Sequence, residues 1–85
     1  MRRLYRKVAY MDPTMDDIDV IRKVPEMFEI LQHKVAAAIR RDGGEPILDG
    51  VVSTYTAKGD WKLWDEFGRL PGAMCTVKMY GEFPE

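Results

Sequence analysis

The chain has 85 residues, 46% hydrophobic and 32% charged, with 13 Lys plus Arg against 14 Asp plus Glu. That is one domain's length, read as a single compact unit over residues 1–85, and it is too apolar and too near neutral for a disordered chain. A single cysteine excludes an internal disulfide and any Cys-based metal cluster.

No apolar run approaches the roughly 18 residues that a membrane-spanning helix needs. Met1-Arg2-Arg3-Leu4-Tyr5-Arg6-Lys7 starts as a signal peptide does, but no apolar stretch follows. The reading is therefore a reducing, cytoplasmic protein (virion or host cytoplasm if viral) with no membrane contact. A chain this short buries only about 60–65% of its unfolded surface. Its stability is expected at about 4–13 kcal/mol. Two Trp, three Phe, four Tyr and six Met supply bulk for a dense small core.

In chain order, residues 4–11 read as a strand that Asp12-Pro13 ends. Leu4 and Val8 are expected to face inward, because Lys7 interrupts the alternative row of Tyr5, Ala9 and Met11. Thr14 then opens a helix, with Thr14 and Asp17 as a weakened capping box. Asp16, Asp17 and Asp19 sit near that N-terminus, where negative charge is favoured. Pro25 costs about 3 kcal/mol or more inside a helix but almost nothing in a first turn. The spacing therefore predicts a short helix over 15–23 and a longer one over 25–42, with one kinked helix as the alternative. In the longer helix Val24, Met27, Phe28, Leu31, Val35, Ala38 and Ile39 fall in one arc. Arg40 and Arg41 suit its C-terminus, and Gly43-Gly44 provides a left-handed stop.

Residues 47–56 read as a second strand, with Gly50 marking a bulge or a close approach. Over residues 60–67 the helical projection groups Trp61, Leu63, Trp64 and Phe67, and Asp60 can cap it. Residues 73–83 form the last strand, with Cys75, Val77 and Met79 on one side and Thr76, Lys78 and Tyr80 on the other. The expected architecture is β-α-α-β-α-β. It is a small two-layer α/β sandwich of the α+β kind, with helices on one face of a three-stranded mixed sheet.

No catalytic constellation emerges, and the chain is read as a non-enzyme without cofactor or metal. His33, four residues after Glu29, is the one histidine. A zinc site needs about four ligands, or three plus water, and no second histidine exists to join it. Cys75 lies in an apolar row with no base placed beside it, so it reads as a small buried hydrophobe. Asp12, Asp16, Asp17 and Asp19 lack a calcium-loop pattern, and helix-dipole complementarity accounts for most of them. Gly43-Gly44 ends a helix rather than beginning one, which removes it as a phosphate loop.

Surfaces carry what functional signal there is. If Val77 and Met79 face the core, Lys78 and Tyr80 face out; Tyr5, Lys7 and Tyr55 are expected to join them. Trp61, Leu63, Trp64 and Phe67 are expected to plug the end of the core, with Trp61, at the margin of that apolar arc, the first candidate for exposure and for a binding surface. Residues 1–10 carry four positive charges and no negative one; residues 11–30 carry six negative against two positive. Such polarity suits an oriented contact with a protein better than bulk attraction to a polyanion. The leading expectation is a non-catalytic protein-interaction or assembly module, either a homo-oligomer or docked on a partner. On base rates alone, an accessory or structural-particle protein of a phage or mobile element fits this profile. The alternative is a single-stranded nucleic-acid binder that stacks bases on the Tyr and Lys face.

Overall fold

The computed structural model describes residues 1–12, 14–57 and 73–85. The elements are β1 (Arg2–Tyr10), α1 (Asp17–Arg41), β2 (Glu45–Thr56) and β3 (Met74–Glu82). β1 and β2 both pair antiparallel with β3, giving the order β1-β3-β2. β1 and β2 therefore run parallel to each other without being neighbours. The expected mixed sheet is replaced by one with only antiparallel pairs. The α1 crossover leaves a gap one strand wide, and β3 fills it with both its edges hydrogen-bonded. The helix expected over 60–67, with Trp61, lies outside the described residues.

One helix replaces the two expected over 15–23 and 25–42. It runs through Pro25. The proline removes the hydrogen bond to the Ile21 carbonyl, at about 3 kcal/mol. Ile21 and Pro25 are both exposed, so water can serve the freed carbonyl. Upstream of the proline, Val20 is buried and Val24 packs half-buried on the core. A fully buried valine contributes about 1.5–3 kcal/mol, enough to offset most of the loss. The helix therefore continues because its apolar stripe does.

The N-terminus also differs from the capping-box expectation. Asp16 occupies the cap position without a side-chain cap hydrogen bond. Thr14 turns backward instead: its N–H and hydroxyl both donate to Asp12 Oδ1, at 2.8 and 2.7 Å. These bonds hold the Asp12 carboxyl below the usual carboxylate range.

The C-terminus behaves as its sequence implies. Gly43 takes φ +91°, while Gly43 N–H donates to the Arg40 carbonyl and Gly44 N–H to the Ile39 carbonyl. That pair of bonds is the Schellman motif, for which glycine carries no Cβ penalty. It turns the chain directly into β2.

The core lies between α1 and one face of the sheet. Val20, Leu31, Val35 and Ile39 of the helix meet Cys75, Val77 and Met79 of β3, with Met11, Ala73 and Phe83 at the ends. The inward row of β1 is the one that the sequence argues against. Leu4 and Val8 are exposed, whereas Tyr5 and Ala9 pack on the core and Met11 is buried. Cross-strand register gives the reason. Tyr5, Lys7 and Ala9 stand opposite Met79, Val77 and Cys75, the three β3 residues under the helix. β1 is an edge strand, so Lys7 keeps its ammonium in water from an inward-facing position.

Candidate functional site

The face of the sheet away from α1 has no element packed on it among the described residues. Residues directly opposite across antiparallel strands share a face, so the register lays this surface out in rows. Arg2, Glu82 and Glu45 form the first row; Leu4, Tyr80 and Ile47 the second; Arg6, Lys78 and Val52 the third. Val8, Thr76 and Thr54 follow, then Tyr10, Met74 and Thr56. Five large apolar or aromatic side chains in these rows are 38–53% exposed: Leu4, Val8, Tyr10, Val52 and Tyr80. Such a concentration on one face is uncommon on a chain that needs no partner.

The electrostatics of the face centre on Arg6 and Lys78. They stand directly opposite each other. Like charges in that position repel. The carboxylates of the face are both in the first row, where Arg2 Nε lies 3.4 Å from Glu82 Oε2. Neither Arg6 nor Lys78 enters an ion pair among the described residues. Among the described residues, the middle of this surface thus holds two adjacent cations without an ion-pair partner.

Of the residues expected at a binding surface, Lys78 and Tyr80 lie exposed on this face. Tyr5, Lys7 and Tyr55 do not join them. Tyr5 and Tyr55 are half-buried against the core on the helix side, Tyr55 opposite Cys75. Lys7 shares the row of Tyr5, for the register reason given above. Trp61 falls outside the described residues. Arg6, Leu4, Tyr10 and Val52 are the residues that sequence reasoning missed. Leu4, Arg6 and Tyr10 follow once β1 is turned over, and the cue was present: Met11 continues the Tyr5–Ala9 row into an apolar end; Val52 follows from its register opposite Lys78.

Tyr5 has a structural role instead. Its hydroxyl donates to Asp42 Oδ2 at 2.7 Å. Its ring stacks on Phe83, with centroids 6.0 Å apart and planes at 15°. This hydrogen bond raises the Tyr5 phenol above its ordinary value and lowers the Asp42 carboxyl, which Arg41 and Arg3 lower further. Asp42's contribution to stability is present above the ordinary carboxylate range and lost as pH falls through its depressed value. Tyr5's contribution is present below the ordinary phenol range and lost as pH rises through its raised value. Tyr5→Phe should move the Asp42 titration upward, as read by carboxyl-carbon NMR. An unchanged titration would show that the hydroxyl does not set it.

Cys75 is buried, and desolvation pushes its thiol up, opposite to what a nucleophile requires. Among the described residues no group of three or more His, Cys, Asp or Glu side chains is placed to hold a metal ion. No described helix is long and apolar enough to cross a membrane. The chain matches no family model, no curated protein and no solved structure.

Proposed function

We propose that this chain is a non-catalytic docking module whose sheet face away from α1, at its exposed rows around Arg6 and Lys78, binds a protein partner presenting carboxylates on an apolar surface. One observation carries the reading: Arg6 and Lys78 stand side by side, without an ion pair among the described residues, within a surface of exposed Leu4, Val8, Tyr10, Val52 and Tyr80. A partner carboxylate set between the two cations removes their mutual repulsion, and the flanking side chains supply apolar area. Two copies stacked face to face on this row would bring four cations together, which argues against self-association centred there. Strand and residue spacings give the whole face at most about 400–500 Å², and less is accessible because Thr76 and Met74 within it are buried, which suits a transient contact rather than an obligate one.

Single-stranded nucleic acid is the second reading, favoured by Tyr80 standing one row from the Arg6–Lys78 pair. Against it, most of the exposed surface is aliphatic, which stacks poorly on bases. The chain also has a net charge of −1, where nucleic-acid binders are usually basic.

Amide chemical-shift mapping tests both with defined probes: a peptide of alternating Leu and Glu, and a single-stranded oligonucleotide. The proposal expects peptide-induced shifts along Leu4, Arg6, Val8, Val52, Lys78 and Tyr80. Affinity should fall at least about tenfold in the Arg6→Glu, Lys78→Glu variant. Oligonucleotide binding without peptide binding establishes the second reading instead. Binding of neither, with light scattering reporting a dimer, overturns both in favour of self-association.

A further inference from the structure

A second candidate site lies on the other side of the sheet, where α1 passes β2. Opposite β3, Ile47 pairs with Tyr80 and Val52 with Lys78, so four residues of β2 stand against Met79 alone. Gly50, at φ +84°, permits this wide bulge. Because β2 departs from its ladder here, no regular inward row covers this part of the helix. A cleft of about 250 Å³ remains, lined by Gln32, His33, Ala36, Arg40, Leu48 and Met79.

The lining divides by chemistry. Met79 and Ala36 are buried and form an apolar floor, and Leu48, 73% exposed, forms an apolar lip. Gln32, Ala36 and Arg40, four residues apart, follow one helix face on successive turns, with His33 beside Gln32, so Gln32, His33 and Arg40 form a polar rim around the Ala36 floor. Gln32 is held toward β2 by a hydrogen bond from its Nε2 to Ser53 Oγ at 3.4 Å. Arg40 makes no ion pair among the described residues, and its planar guanidinium matches a carboxylate bidentately. Among the described residues, no acidic side chain lines the cleft.

We infer that this cleft binds a small organic carboxylate with a short apolar body, the carboxylate on Arg40 and the body over Met79 and Ala36. The volume corresponds to about eight waters, the size of a chain of about six carbons with its carboxylate. It lies just below the usual range for drug-sized ligands, so the ligand is of fragment size and its affinity about millimolar. The site is independent of the open sheet face, on the opposite side of the molecule.

Amide chemical-shift titration with hexanoate is the test, with hexanamide as the neutral counterpart of equal shape and inorganic phosphate as the anion without an apolar body. Hexanoate should shift Gln32, His33, Ala36, Arg40, Leu48 and Met79. Hexanamide and phosphate should bind at least about tenfold more weakly. Arg40→Gln, at an exposed position, should keep the fold and lose at least as much affinity for hexanoate. Ala36→Leu, which fills the floor, should abolish binding while the remaining amide spectrum is retained. The inference is overturned by no hexanoate shifts, by equal binding of hexanamide or phosphate, or by unchanged affinity in Arg40→Gln. Shifts confined to Arg6 and Lys78 overturn it equally, because they place the anion on the open face.

Discussion

Phe83→Ala is expected to lower stability by about 3–5 kcal/mol, the usual range for deleting a buried aromatic ring. Against a total of about 4–13 kcal/mol for a chain of this size, that is roughly a quarter of the stability or more. Phe83 is buried although it lies just beyond the end of β3. Its ring stacks on Tyr5, and the Arg3 guanidinium carbon sits 4.6 Å from the ring centroid. A Cβ built on Gly44 would lie 2.7 Å from two of its ring atoms. The ring thus joins β1, the exit of α1 and the end of β3 at one point. Urea unfolding measures the loss; a decrease below about 1 kcal/mol would show that the site relaxes. Gly44→Ala provides a control. It should destabilise the parent, where the ring fills the space, and cost little in the Phe83→Ala background.

Gly81→Ala should lower stability by about 1–3 kcal/mol through overpacking. Gly81 lies in the central strand, and a Cβ there would stand 2.6 Å from Ile39 Cγ2 and 3.0 Å from Phe83 Cε1. Ile39 is fully buried and β-branched, so it cannot move aside cheaply. The glycine is required here for close approach rather than for backbone conformation. Its absent side chain also lets Arg3, directly opposite, reach over to Phe83. Combining Gly81→Ala with Ile39→Ala should cost clearly less than the sum of the two single changes, since the second opens space for the first. Strict additivity in urea unfolding would exclude the proposed clash.

The two variants also mark where local sequence stops informing the fold. The stripe from Val24 to Ile39 and the Gly43-Gly44 stop specify the helix and its end without reference to anything else. Period and capping are local properties, set within a turn or two of each residue. The alternation of Cys75, Val77 and Met79 likewise placed Lys78 and Tyr80 on the opposite face of β3. In β1 the same logic failed, because both rows are partly apolar and Lys7 seemed to disqualify the inward one. An edge strand tolerates such a lysine; whether a strand is an edge depends on its partners.

By itself, then, the sequence determined three strands, the long amphipathic helix and its C-terminal stop, and the charge contrast between residues 1–10 and 11–30. Each follows from residue type and short-range spacing. Only the tertiary structure decided which face of β1 is buried, since that depends on pairing with β3, some 70 residues away in the chain. It also decided that α1 continues through Pro25, because Val20 is held by the core. The same long-range pairing brought Arg6 beside Lys78 and opened the cleft over Met79. Both candidate sites are products of cross-strand register, and register is fixed by the packing of the whole sheet against its helix.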